Sequence, residues 1–285
     1  MNRTASTPSR RLLCGRFEFA LDRPLVMGVV NVTPDSFSDG GRFASARQAI
    51  DHARRLADEG ADLLDIGGES TRPGAAEVAL DEERRRVLPV VEALAGAGLA
   101  VSVDTQKPEL MREAVAAGAA MINDVGGLRS PGALAAVAAG GAGVCVMHMQ
   151  GEPRTMQAGP CYGDVVAEVL AFLDGRVQAL VAAGVARERI VVDPGFGFGK
   201  TLDHNLELLR QLGRFAETGT AVMAGLSRKS MLGRITGREV GDRGYASVAA
   251  ALIAVQNGAH IVRVHDVAAT RDALAVWQAV ARRDG

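Results

Sequence analysis

Eight short apolar runs, each of strand length and each ending in a polar residue followed by a turn former, constrain this chain more than any other feature. "PLVMGVVN" ends at Asn31, "ADLLDIGGES" passes Asp65 to reach Glu69, "LAVSVD" ends at Asp104, and "AAMINDV" reaches Asn123 and Asp124. "AGVCVMH" ends at His148, "RIVVD" at Asp193, "TAVMAGLSRK" at Ser227 to Lys229, and "AHIVRVH" at Arg263 and His265. Segments with helical spacing lie between them, among them 45–59, 131–139, 163–183 and 204–212, with Ser45 and Asp203 placed as caps. Alternating strand and helix patterns imply parallel strands joined by right-handed crossovers, and near-continuous apolar runs imply strands buried on both faces. Eight such units predict an α/β protein of the (β/α)8 TIM-barrel class, with an open doubly wound sheet as the alternative. Both place a binding site at the carboxyl ends of the strands.

Residues 1–23 precede the first unit and are read as an N-terminal extension, with 11–23 forming a small hairpin or lid over the amino-terminal end of the barrel. No linker or tandem repeat divides 24–285, which is read as one domain. The chain's 285 residues, 48% apolar and 23% charged, suffice for a large core. A formal charge of −1 gives no electrostatic reason to expect nucleic acid or an anionic membrane as partner. Apolar residues never run uninterrupted for the roughly 18 positions that a membrane span needs. Arg16 and Glu18 break up the first segment, so no signal peptide is expected. Cys14, Cys145 and Cys161 are too scattered for a disulfide framework and suit a reducing cytoplasm.

Barrel packing explains apolar strand bodies but not strands that end repeatedly in Asn, Asp, His or Arg. A single Asp at such a turn is ordinarily a cap, whereas several pointing into one mouth call for a ligand. The first loop, "NVTPDSFSDGG", supplies hydroxyls, carboxylates and flexible glycines, and the second, "GGESTRPG", supplies Ser70, Thr71 and Arg72 to grip phosphate or carboxylate oxygens. Arg228, Lys229, Arg263 and His265 add cations, which suggest an anionic substrate or else a set of rim salt bridges. The histidines lack the spacing of a zinc site, but magnesium needs only one or two oxygen ligands beside substrate phosphates, and Asn31 with the first-loop acids could supply them. "DPGFGFGKT" at 193–201 is neither a phosphate loop, because Pro194 stands where a glycine is required, nor a dinucleotide fingerprint. No nucleophile elbow is present, and Cys145 reads as core.

"VMGVVNVTPDSFSDGG", "LDIGGESTRPGAAEV", "SVDTQKP", "INDV", "MHMQG", "DPGFGFGKT", "SRKS" and "RVHDV", in this order, resemble the dihydropteroate synthase family over nearly the whole chain. The resemblance implies a (β/α)8 barrel that joins 7,8-dihydropterin-6-ylmethyl diphosphate to p-aminobenzoate, releasing diphosphate, with Mg2+ as cofactor. It implies that Asn31 holds magnesium and that Thr71, Arg72, Arg263 and His265 surround the phosphates. Asp104, Asn123, Asp193 and Lys229 would grip the pterin. Phe198, Pro73, Lys229 and Ser227 would line the aminobenzoate path, with Met147 also in the substrate-binding set. Asp104, with Asp35 of the first loop, would face a cation developing at the pterin methylene, and Arg263 and Lys229 complete the catalytic set. Lys200 is expected at the rim without an essential role. The resemblance also implies a homodimer, through the apolar helix in "GDRGYASVAAALIAVQNGAH" and the helix holding Trp277. A methyltetrahydrofolate methyltransferase-like barrel and a non-catalytic pterin-binding paralogue are the alternatives.

Overall fold

The computed structural model describes residues 11–32, 41–70, 76–151, 156–157 and 159–281. The apolar runs become the buried parallel strands β3 (Leu25–Asn31), β4 (Leu63–Gly67), β5 (Val101–Asp104), β6 (Met121–Asp124), β7 (Gly143–Met147), β8 (Ile190–Asp193), β9 (Ala221–Ala224) and β10 (Ile261–Val264). They form a closed barrel rather than an open sheet, because β10 also pairs with β3, Ile261 lying opposite Leu25 and Val264 opposite Gly28. Closure satisfies every edge strand and brings the polar strand ends around one mouth.

Helices α1 (Gly41–Asp58), α2 (Leu80–Gly96), α3 (Pro108–Ala116), α4 (Ala133–Ala138), α5 (Val165–Ala182), α6 (Leu202–Arg210), α7 (Ser230–Thr236), α8 (Gly244–Gln256) and α9 (Val267–Ala281) follow or link the strands. The expected helical segments at 45–59, 131–139, 163–183 and 204–212 therefore recur with shifted ends. Two expected caps move. Ser45 lies within α1, and α6 is capped by Thr201, whose hydroxyl accepts from the His204 N–H at 3.2 Å while the His204 ring accepts from the Thr201 N–H. Asp203 falls instead in the first turn of α6, where its charge still favours the helix dipole.

Ahead of the barrel, β1 (Arg11–Cys14) and β2 (Phe17–Ala20) form an antiparallel hairpin. Leu12 and Cys14 are buried among Leu25, Met27, Leu63, Met121, Cys145, Val191, Met223 and Ile261, so the hairpin closes the amino-terminal end as expected. Each large side chain buried there stabilises the plug by about 1.5–3 kcal/mol. Gly143 permits the close approach: a Cβ there would lie 2.7 Å from the Cys14 sulfur. Burial pushes the Cys14 thiol up to about 12 and the Cys145 thiol well above its ordinary value, in keeping with core roles for both. With this end sealed, the opposite end is the one open to a substrate. Among the described residues, no helix is long and apolar enough to cross a membrane.

Candidate active site

A buried ion network lies at the carboxyl ends of β4, β5, β6 and β10. The Arg263 Nε donates to Asp65 Oδ2 at 2.6 Å, and its terminal nitrogen donates to Asp104 Oδ2 at 3.2 Å. The Asn123 amide donates to the same Asp65 oxygen at 3.1 Å. Asp65 thus orients both neighbours, while its Oδ1 has no hydrogen-bond partner among the described residues. Burial first, and then the charge of Asp65, push the Asp104 carboxyl far above its ordinary range, with Arg263 pulling the other way. Asp65 was only a strand residue in the sequence reading. Its signal was a carboxylate inside an otherwise apolar run, a position that burial makes costly unless it is paired.

The next wall comes from "DPGFGFGKT". Asp193 Oδ1 accepts the Gly195 N–H at 2.7 Å, which fixes the carboxylate at the start of the turn. Its other oxygen faces the space over Gly225, where a Cβ would sit 3.9 Å from Asp193 Oδ2 and 3.8 Å from the Arg263 Cβ. Glycine at 225 therefore leaves room between these two charges. Gly195 and Gly199 are left-handed, with φ of +72° and +62°, and run so close to the preceding loop that a Cβ at Gly195 would lie 2.0 Å from the His148 carbonyl oxygen. Asp193 is buried, and desolvation raises its pKa against the opposing charge of Lys229.

Lys229 arrives through a strained turn. Arg228 adopts φ +60°, a conformation that costs a non-glycine residue about 1–2 kcal/mol. Three contacts hold it: its N–H donates to Ser247 Oγ at 2.9 Å, its carbonyl accepts from Arg243 at 3.1 Å, and its guanidinium pairs with Asp266 at 2.7 Å. Arg228 is thus a rim salt bridge and not one of the cations of the mouth. Lys229 turns inward, donates to the Phe196 carbonyl and lies 4.6 Å from the centre of the Phe198 ring. Burial lowers its pKa to about 8, with Asp193 opposing and Arg263 reinforcing the shift.

Phe198 packs on a small apolar cluster of Val125, Met147, Met149 and Met156. Ser227 and His265 meet at 2.9 Å between Oγ and Nδ1, and the His265 N–H also donates to that hydroxyl at 3.2 Å. Asn31 ends β3 with its amide oxygen 3.9 Å from where a Cβ on Gly67 would lie, beside Asp104. Asn31 and His265 also line a cavity of about 520 Å³ with Val29 and with Gln48, Asp51, His52 and Arg55 of α1. Asp35, Thr71, Arg72 and Pro73 lie outside the described residues.

Two further groups escaped the sequence reading. Lys107 donates to Glu69 and to the buried Glu83, each at 2.5 Å, and Glu69 also accepts the Val78 N–H at 3.2 Å, which ties both ends of the second loop to α2 and β5. Lys200, expected at the rim, is only 3% exposed. Spacing could not show this, because its burial follows from the left-handed glycines that fold the loop back on itself.

The mouth therefore gathers two carboxylates, Asp104 and Asp193, with an amide, a lysine and an arginine. Such a lining suits a flat heterocycle with donors on one edge and acceptors on another. The family of pterin binding enzymes matches residues 27–265. The dihydropteroate synthase of Neisseria meningitidis serogroup C is 53% identical over 271 residues, covering 93% of this chain and 96% of that protein. A dihydropteroate synthase of Xanthomonas albilineans with 4-aminobenzoic acid superposes with a TM-score of 0.91 at 57% identity, covering 96% of this chain and 99% of that one. The Burkholderia cenocepacia dihydropteroate synthase complexed with 7,8-dihydropteroate gives 0.86 at 55% identity, covering 96% and 97%. Kinship of this extent, over nearly the whole barrel, places the chain in the dihydropteroate synthase family of pterin-binding barrels.

Proposed function

We propose that the chain joins 7,8-dihydropterin-6-ylmethyl diphosphate to p-aminobenzoate, giving 7,8-dihydropteroate and diphosphate. The observation that carries this reading is the set of buried Asp104, Asn123 and Asp193 with half-buried Lys229 and Arg263 around one mouth, in a chain of that family. A pterin edge presents an amino group beside a ring N–H, and the Asp193 oxygen that faces Gly225 would accept from it, while Lys229 would donate to the carbonyl side. Bonds to charged groups contribute about 1.5–3 kcal/mol each, against about 0.5–1.5 for neutral ones, so Asp193 dominates recognition.

In the reaction the bond between the pterin methylene and the diphosphate oxygen breaks, the departing diphosphate keeps the electron pair, and the aromatic amine adds to the methylene carbon and then releases a proton. Asp104, with Asp35, faces the cation that develops at the methylene. Arg263, His265, Thr71 and Arg72 surround the leaving group. The amine is already a nucleophile, so no strong general base is required. Phe198, Met147, Pro73 and Ser227 line the path by which p-aminobenzoate enters.

Among the described residues, no group of three or more His, Cys, Asp or Glu could hold a metal by itself. One inward amide oxygen from Asn31 fits a cation that takes most of its ligands from substrate phosphates and water, the habit of Mg2+. When bound, Mg2+ would neutralise charge on the leaving diphosphate.

A homodimer is the proposed assembly, since α8 and α9 pack together and expose Tyr245, Ile253, Val276 and Val280. A monomer by light scattering at micromolar concentration would remove it. Three free cysteines, two of them buried, support a reducing cytoplasmic setting. The methyltransferase and non-catalytic alternatives are not favoured, given kinship over nearly the whole chain. Incubating purified protein with the pterin diphosphate, p-aminobenzoate and Mg2+ should yield dihydropteroate and diphosphate. A protein that binds pterin but forms no product would overturn the catalytic reading.

A further inference from the structure

Lys200 stands apart from the groups assigned so far: it is deeply buried, and its ammonium contacts no substrate-facing side chain. It sits where the loop after β7 meets the loop after β8. Its Nζ donates to the Gly195 carbonyl at 2.9 Å, the Phe198 carbonyl at 3.0 Å and the His148 carbonyl at 3.2 Å, and lies 3.1 Å from the His148 Nδ1, which competes for the same three protons. Two of these acceptors belong to the loop that carries Phe198, and two belong to the residue that follows Met147. One ammonium therefore clasps both sides of the apolar cluster on which the Phe198 ring rests.

Other contacts anchor this loop as well: Gln157 donates to the Gly197 carbonyl at 2.5 Å, Tyr162 to the Gly199 carbonyl at 2.8 Å, and Lys229 to the Phe196 carbonyl. Phe198 N–H donates to the Gly195 carbonyl at 3.1 Å, and Gly197 N–H to Asn205 Oδ1 at 2.7 Å. Asn205 in turn donates to the Thr201 carbonyl at 2.6 Å, so α6 steadies the outer side while Lys200 steadies the inner one. His148 suits the acceptor role, because burial, then Lys200 and Arg129, lower its pKa to about 3 and keep the ring neutral. Removing the ammonium would leave the His148 and Phe198 carbonyls short of a donor, while the Gly195 carbonyl keeps the Phe198 N–H.

We propose that Lys200 is a positioning residue for p-aminobenzoate: by clasping the loops after β7 and β8 it sets Phe198, the apolar wall of the aminobenzoate path, against Lys229. The proposal rests on the dihydropteroate synthase reading. It distinguishes the lysine of "DPGFGFGKT" from the aspartate that opens the motif: Asp193 reads the pterin, and Lys200 shapes the second substrate's wall without touching either.

The test uses the full chain as Lys200→Met, Lys200→Gln, Phe198→Leu and the Lys200→Met/Phe198→Leu double variant, in a steady-state assay with both substrates and Mg2+. Lys200→Met is expected to raise the KM for p-aminobenzoate about tenfold while kcat stays within about threefold, the pattern of lost binding that is uniform between ground and transition states. Its affinity for pterin-6-carboxylate by calorimetry is expected to stay within about threefold, since the Asp193–Gly195 turn survives. Lys200→Gln, which keeps amide donors, should lie between wild type and Lys200→Met. In the double variant the KM should rise no further than in Phe198→Leu alone, because the lysine acts through that ring. Parallel losses in kcat, both KM values and pterin affinity would mean a merely structural lysine, and multiplicative effects in the double variant would mean that it does not act through Phe198; either overturns the proposal. Should neither Lys200 variant fold, His148→Leu removes the side-chain acceptor and leaves the three carbonyls; an unchanged aminobenzoate KM in that variant also overturns it. A wild-type protein that forms no dihydropteroate would instead refute the functional reading.

Discussion

Asp193→Asn is the sharpest single perturbation of the pterin slot, because the substitution keeps the shape and changes only the charge and one hydrogen-bonding atom. The Asp193 oxygen that accepts the Gly195 N–H at 2.7 Å has an equivalent in asparagine, so the turn persists. The oxygen facing the slot becomes an NH2 group, which meets the donor edge of a pterin with another donor. Replacing charged bonds by none forfeits about 1.5–3 kcal/mol, and the unmatched pair of donors adds about 1–3 kcal/mol more. Together these give roughly 3–5 kcal/mol, or about two to three and a half orders of magnitude in affinity. A second effect runs in the same direction. Asp193 supplies the opposing charge that holds up the pKa of both Lys229 and Lys200, so its loss lowers both and leaves Lys229 less charged at neutral pH. Fold stability should change little, since burial already disfavours the ionised carboxylate. Calorimetry with pterin-6-carboxylate reads the affinity, and thermal unfolding controls for the fold. A folded variant whose pterin affinity falls by less than about tenfold would refute the argument that this carboxylate dominates recognition.

If, as proposed, the Asp104 carboxylate faces the developing cation, Asp104→Asn should lower kcat far more than it weakens pterin binding; equal losses in steady-state and binding assays would remove that role. Lys107→Met should destabilise the fold by about 3 kcal/mol, since it strands the carboxylate of Glu83, whose side chain is 1% exposed, and urea unfolding that shows no change would refute the clasp on the second loop. His148→Gln should alter the acid limb of stability. The folded pKa of about 3 lies below the ordinary 6.5, so between these values the unfolded chain binds the extra proton and the contribution of His148 is lost as pH falls. From pH 6.5 to 4.5 that loss is about 2 kcal/mol in the wild type and absent in the variant; parallel urea-unfolding curves across this range would contradict it.

The strand ends were legible in the sequence because a strand buried on both faces must be apolar, so Asn31, Asp104, Asn123, Asp193 and Arg263 stand out against their own runs. What was not legible depends on contacts that spacing does not encode. Asp65 gains its meaning from Arg263, which lies 198 residues later in the chain. Arg228 and Lys229 are adjacent, yet a left-handed turn sends one to Asp266 at the rim and the other into the slot. Lys200 follows three left-handed glycines, and only their combined turn shows that it faces inward.

These contacts also revise the inference drawn from charge. A ring of cations had suggested that the mouth itself attracts an anion. At the mouth, buried Asp65, Asp104 and Asp193 stand against buried Lys200 and the half-buried Lys229 and Arg263, and the guanidinium is shared between two of the carboxylates. The floor of the site is nearly neutral in sum and suits an uncharged heterocycle held by directed bonds. Binding of a diphosphate beside Arg263 would compete with Asp65 and Asp104 for the same donors. On the proposed reading, His265, Arg72 and Thr71 of the second loop and a divalent cation at Asn31 would therefore supplement Arg263 around that group. On this argument Arg72→Ala should raise the KM for the pterin diphosphate yet leave the affinity for a pterin lacking phosphate within about twofold. A loss of affinity for both ligands would place phosphate recognition in the floor after all.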